Sequence, residues 1–408
     1  MSRKALLVII SAILLYGIVA GIRATFSVFT TEISNATGLS YGTVSNVFAI
    51  CNLVFAISCP IFGLLTQKIP IRYVLASGAV MSAVGLIGAA FSTQFISLLV
   101  FLGIFFALGA GALCYAMVYA AATPFLGVKN AAFSSGFLCA SMGIINIIIA
   151  PFVQTVGSTA PGLTICLIIL GAIVLCLVPL ALIVFHPKRL EKTEEETSAV
   201  KRGTSFLSPL KFLVKRPYFY MLVLGYVAFG LCDGYMANHL YENAIEVLSL
   251  SSETAAVLVM AYGFALILGP LAGGFIAARA RNLHLSVVFV FGIWVVIHII
   301  FSFLPLNIPS LVLTVFGLGI VSSMIIPIFS ILALKRSPGV MFAAILAILE
   351  TFIYFGYSFT SYFGGICYDS FGNFTLLSLV TYVICGVVIV LFLLTGLKYS
   401  RNKEEKVN

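Results

Sequence analysis

The chain has 408 residues, a mass of 43.7 kDa and a mean hydropathy of +1.18, with 62% hydrophobic and only 9% charged residues. Soluble domains carry about 25% charged residues, so water could not solvate the surface this composition would present. The net charge of +9 would raise nucleic acid as a partner for a soluble protein, but here the positions of the charges argue for a membrane instead.

Unbroken apolar runs of about 20 residues read as membrane helices, because a helix satisfies its own backbone groups in hydrocarbon. A closed barrel would instead read as short alternating strands. The first run follows Arg3 and Lys4, as a signal peptide would, but no small-residue cleavage site followed by soluble sequence ends it. It is read as a retained span over 5–30. In it Tyr16, Ala20, Arg23, Ser27 and Thr30 recur at helical steps, a small or polar stripe suited to a cavity wall. Spans near 43–66, 73–91, 96–122, 131–155 and 162–185 follow. The second carries Asn52, the fourth the i, i+4 pair Tyr115 and Tyr119, and the fifth Asn146.

A polar stretch over 186–217, with Glu194, Glu195 and Glu196 between basic residues, reads as a cytoplasmic tether. Six further spans are predicted near 218–241, 252–278, 285–303, 309–334, 340–366 and 374–397. Asp233 lies inside the seventh, His239 and Glu242 at its end, and His298 in the ninth, where an interhelical hydrogen bond is expected. On the eleventh, Glu350, Tyr354, Tyr357 and Ser361 share a face. The organisation is therefore an all-α integral membrane protein of twelve transmembrane helices in two pseudo-symmetric six-helix bundles, 1–185 and 218–408, joined by the 186–217 linker.

With both termini cytoplasmic, all of the 22 basic residues but Arg23 fall in the tails or the inner connections. The outer connections hold Glu32, Glu246 and Glu253 but no Lys or Arg, in keeping with the positive-inside rule. The expected location is a plasma membrane, in a bacterium the inner one. The two halves also match at one constant offset: Pro60-Ile-Phe-Gly63 meets Pro270-Leu-Ala-Gly273, Phe106-Ala-Leu-Gly109 meets Phe316-Gly-Leu-Gly319, and Arg23 meets Asp233. Duplication after an even number of spans gives a parallel repeat.

No enzymatic motif is present, whether nucleophile elbow, phosphate loop or Walker sequence. No metal-ligand spacing has a third ligand, so neither a metal nor any other cofactor is expected. The nine cysteines include no C-x-x-C pair and read as small apolar fillers.

Twelve spans, a central linker and a parallel repeat resemble the major facilitator superfamily. The segment Gly63-Leu-Leu-Thr-Gln67-Lys68-Ile-Pro70-Ile-Arg72 is similar to that family's loop between the second and third helices. Gly63, Lys68 and Arg72 fit the pattern as a gating loop, while Gln67 stands for the usual Asp and Pro70 for the usual Gly. Gly63 would permit close helix approach, and the cations would hold the loop against helix ends and headgroups. Gly21-Ile-Arg23-Ala-Thr-Phe26-Ser-Val28-Phe29 resembles the first helix of the monocarboxylate and oxalate/formate carriers. Those carriers also place an arginine in the eighth or eleventh helix. Here the eighth has no basic residue before Arg279, and the eleventh holds Glu350.

The resemblance implies secondary transport by alternating access, with the first, fourth, seventh and tenth helices lining the site and the seventh and eleventh as neighbours. An ionisable residue in a membrane span is a functional candidate by default. Arg23 is expected to anchor a small organic anion such as a monocarboxylate, among Tyr16, Tyr115, Tyr119, Asn146, Tyr354 and Tyr357. Alternatively Arg23 pairs with Asp233. Asp233 and Glu350 are the expected proton-coupling groups, sharing or carrying one proton in symport. The expected partners are the solute, protons and the bilayer, with no nucleic acid and a monomeric state. The rival readings are a proton-coupled exporter of hydrophobic drug-like compounds and a solute sensor that moves nothing.

Overall fold

A computed structural model describes residues 3–185, 207–244, 248–303 and 307–404. Among them there is no strand, and twelve helical stretches are long and apolar enough to cross a membrane. These are Leu6–Ala24, Asn46–Leu65, Ile71–Ala90, Phe95–Leu126, Asn130–Val156, Ala160–Val184, Pro217–Ala237, Val257–Arg279, Leu283–Ser302, Ile308–Arg336, Phe342–Gly364 and Thr375–Lys398. Each meets one predicted span. Of the expected linker, 186–206 lies outside the described residues, and its remainder includes the short helix Ser208–Val214.

Helix starts follow local chemistry. Four connections without Lys or Arg begin their helices with neutral side-chain caps that share one spacing, accepting from the N–H three residues on. Ser40 accepts from Thr43 N–H, Thr159 from Gly162 N–H, Ser251 from Thr254 N–H and Asn307 from Ser310 N–H. Two basic connections start instead on proline, which lacks the N–H that a first turn leaves unpaired: Pro70 precedes Ile71, and Pro217 opens the seventh span.

The chain packs as two compact units. One comprises Met1–Ser134, Ser141–Lys211 and Ser337–Thr351, the other Ser135–Ala140, Phe212–Arg336 and Phe352–Asn408. Within the first unit the second span packs on the fourth, and the third on the sixth. Within the other, the eighth packs on the tenth and the ninth on the twelfth. These are the same pairings shifted by six spans, as a parallel repeat requires. The start of the eleventh span belongs to the first unit because small residues let it lie against the second span. A Cβ on Gly63 would stand 2.7 Å from the Ala347 Cβ and 3.1 Å from the Ala344 Cα.

Several spans are less uniform than their hydropathy. The first is helical over Arg3–Ala24, breaks at Thr25 and resumes over Phe26–Thr37, beyond its predicted end. The fourth runs through a π-helical stretch, Leu99–Phe106, stops at Ala112 and restarts at Tyr115. The backbone then stays helical to Val156, through a connection predicted to be a loop. The tenth divides into Ile308–Ser323 and Ile325–Arg336, its break repeat-related to that of the fourth.

Candidate functional site

In the first unit Arg23 ends the helix that breaks at Thr25. Its Nη2 donates to Asn52 Oδ1 at 3.0 Å, and its guanidinium carbon lies 3.4 Å from the centroid of the Phe55 ring. The second span thus supplies a hydrogen bond and a cation–π face that together fix the plane of the fork. Thr25 receives a bond from Asn146 Nδ2 at 3.0 Å and donates to the Gly21 carbonyl at 2.8 Å. Asn146, expected in the solute site, is therefore used to tie the fifth span to this break.

The break in the fourth span creates a second feature. A restarted helix exposes unpaired N–H groups and a partial positive charge at its N-terminus. Cys114, the residue before that start, offers no side-chain cap. Glu350 of the eleventh span takes the role instead, its Oε2 accepting the Ala116 N–H at 2.9 Å. The Cys114 thiol also bonds this carboxylate, and the Arg23 charge acts on it. Glu350 is only 6% exposed, and these groups are its described partners.

Beside it the Tyr16 and Tyr115 rings meet edge to face at 5.9 Å, and Tyr115 stacks on Tyr119 at 5.5 Å with an 8° interplanar angle. Tyr119 is fully buried and donates to the Ala131 carbonyl at 3.2 Å. That places Tyr119 in packing, with Tyr115 and Tyr16 stepping outward from it. In the expected gating loop Arg72 donates to Tyr73 Oη at 2.8 Å, and Lys68 is exposed.

The second unit holds its own buried acid. Asp233 is 6% exposed and accepts hydrogen bonds from Tyr262 of the eighth span, Tyr357 of the eleventh and, at 3.3 Å, Ser322 of the tenth. Tyr354 stacks near Tyr357. The seventh and eleventh spans are neighbours here, as expected: a Cβ on Gly356 would meet the Val227 carbonyl oxygen at 2.6 Å, and His239 Nε2 lies 2.9 Å from the Thr360 carbonyl oxygen. Asp233 is thus satisfied by hydroxyls of its own unit, and it shares no described partner with Glu350. His298 Nδ1 is 2.7 Å from Tyr382 Oη, an interhelical bond, with its ring stacked on Trp294.

Tyr262 and Ser322 were not among the expected site residues. Ser322 and Ser323, just before the tenth-span break, are the one adjacent polar pair in that apolar run, a signal that could have pointed there. Glu242, Ser27, Ser361 and Lys129 have side chains outside the described set. Among the described residues no group of three or more His, Cys, Asp or Glu could hold a metal ion. The cysteines are mostly buried, and Cys232 touches Cys385 with sulfurs 3.4 Å apart.

The family profile described as Major Facilitator Superfamily matches residues 12–338. The chain belongs to the Major Facilitator Superfamily. As a superfamily member it is a multi-pass membrane transporter of small solutes, not an enzyme. Among solved structures it is similar to the superfamily transporter FucP in the outward conformation, with 16% identity, a TM-score of 0.74 and coverage of 96% of this chain and 99% of that one. It is also similar to a singly substituted form of the Escherichia coli fucose:proton symporter FucP, with 16% identity, a TM-score of 0.72 and coverage of 95% of this chain and 97% of that one. At that identity the likeness concerns the superfamily fold. No curated protein matches the chain.

Proposed function

We propose that this superfamily member carries a small organic anion, such as a monocarboxylate, by alternating access in symport with protons. Arg23 carries the reading: a guanidinium inside a membrane span, oriented by Asn52 and Phe55, presents the planar donor fork that suits a carboxylate. Tyr16 and Tyr115, in edge-to-face contact in the same unit, are the proposed aromatic wall, and Asn146 bonds Thr25 at the break that follows Arg23. In the other unit Tyr357 and Tyr354 stand beside Asp233. Proton coupling is proposed for the buried acids Asp233 and Glu350, at least one of which binds the co-moving proton that cancels the charge of the anion. Proton symport is also the coupling named for FucP.

The proposed setting is a plasma membrane with both termini in the cytoplasm, the arrangement that puts the basic connections inside. Arg23→Gln tests the anchor. It is expected to raise the apparent KM for a carboxylate by at least tenfold, since about 1.4 kcal/mol corresponds to a factor of ten and a charged hydrogen bond is worth about 1.5–3 kcal/mol. Unchanged carboxylate affinity in Arg23→Gln, measured by exchange in proteoliposomes, overturns the anchor role.

A further inference from the structure

Asp233 and Glu350 are equally buried, but their partners differ in kind. Every described donor to Asp233 is a hydroxyl, and the three come from the eighth, tenth and eleventh spans. A hydroxyl both donates and accepts. The same shell can therefore bond a carboxylate by donating, and a carboxylic acid when one hydroxyl turns to accept its proton. No member of it is stranded in either state. The other titratable groups around Asp233 are Cys232 on its own span, in contact with Cys385 of the twelfth, and Tyr354 beside Tyr357. None of these carries a positive charge.

Glu350 has the opposite surroundings. Its backbone donor, the Ala116 N–H, can never accept. That N–H stands at the start of a long helix, Tyr115–Val156, whose dipole favours an anion there. The first span adds the Arg23 charge, and the fourth adds the Cys114 thiol, itself bonded to Cys59 of the second. Protonation would put a neutral acid against a donor-only group, the positive end of a helix and a guanidinium. Each seat lies by a helix break, of the fourth span for Glu350 and of the tenth for Asp233, but the two differ in chemistry.

We infer that Asp233 is the proton-binding member of the pair and that Glu350 is a positioning residue, holding the first half of the eleventh span on the broken fourth. This rests on the reading that the buried acids serve proton coupling, and it divides that role between them. The test is an infrared pH titration of the full chain in lipid, with either aspartate or glutamate carboxyls carrying carbon-13. The expected result is a buried carboxylic-acid band that appears on acidification, moves with the aspartate label, is lost in Asp233→Asn, persists in Glu350→Gln and changes frequency in Tyr262→Phe. Glu350→Ala is expected to melt earlier than Glu350→Gln, which keeps an oxygen for Ala116, with the titration midpoint of the aspartate band unmoved. A titrating band that follows the glutamate label and vanishes in Glu350→Gln overturns the assignment, and so does the absence of any titrating aspartate band.

The same variants separate this inference from the coupling reading. In proteoliposomes supplied with a mixture of small monocarboxylates, Glu350→Gln should keep uptake driven by a pH gradient within about threefold of the unaltered protein, while Asp233→Asn falls to the exchange-only level. Loss of the driven uptake in Glu350→Gln with its retention in Asp233→Asn overturns the division. Uptake by the unaltered protein that ignores the gradient, beside a normal aspartate band, overturns the coupling reading instead.

Discussion

Replacing Gly356 with alanine adds one methyl group at a close approach of the eleventh span to the seventh. Its Cβ would stand 2.6 Å from the Val227 carbonyl oxygen and 2.7 Å from both the Gly230 carbonyl carbon and its Cα, all backbone atoms with no rotamer to escape through. Ordinary contact begins at 3.4 Å, so the two helices must part by about 0.8 Å, the difference between 3.4 and 2.6 Å. Overpacking of this kind costs about 1–3 kcal/mol. Tyr357 is the next residue, so the parting also strains its bond to Asp233, a charge-assisted bond worth about 1.5–3 kcal/mol where it is lost. Gly386→Ala is the control, because a Cβ there meets nothing within 4 Å. Thermal melting in detergent should fall for Gly356→Ala and not for Gly386→Ala, with proton-driven uptake reduced only in the former. Equal melting points and equal uptake for the two variants would refute the argument that the Asp233 seat depends on this close approach.

Other expectations follow from named contacts. Asn146→Ala removes the bond to Thr25 and should cost about 0.6 kcal/mol, the usual worth of one interhelical bond in a bilayer; a tenfold loss of solute affinity with normal melting would show that Asn146 touches the solute. Arg23→Lys keeps the charge but loses the fork and its seat on Phe55, so carboxylate exchange should weaken by roughly tenfold, and exchange at the unaltered level would count against bidentate binding. Tyr382→Phe removes the shorter of the two bonds to His298 Nδ1 and leaves Ser302 at 3.4 Å, a loss of about 0.5–1.5 kcal/mol visible in melting but not in the KM of the solute.

The spans themselves were legible because hydropathy and the placement of Lys and Arg report directly on the bilayer. Their interruptions were not. Thr25, Leu113-Cys114 and Met324 break helices inside runs that are apolar on both sides, where a mean hydropathy carries no trace of a lost backbone bond. Arg23, Asp233 and Glu350 stood out because charge in a span is rare. Their partners were harder to read: Glu350 is seated on a backbone N–H, which has no side-chain signature, and of the hydroxyls on Asp233 that of Tyr262 comes from a span with no other mark, while only the Ser322-Ser323 pair marks the tenth. Constant-offset pairing of Arg23 with Asp233 suggested an ion pair, whereas packing gives Asp233 the hydroxyls nearest in its own unit. An amide such as Asn146 and a phenol such as Tyr119 suit solute binding as well as interhelical bonding, and their described bonds, to Thr25 and to the Ala131 carbonyl, are not written in the sequence.

The central claim is that the transported solute is a small organic anion held by Arg23. Counterflow in liposomes holding only this protein, screened with labelled small carboxylates, amino acids and sugars, tests it most directly. The account predicts that carboxylates exchange and compete with one another, and that Arg23→Gln raises the apparent KM for that exchange at least tenfold while the protein still melts normally. Exchange of a neutral sugar that carboxylates do not inhibit, and that survives Arg23→Gln, would contradict it.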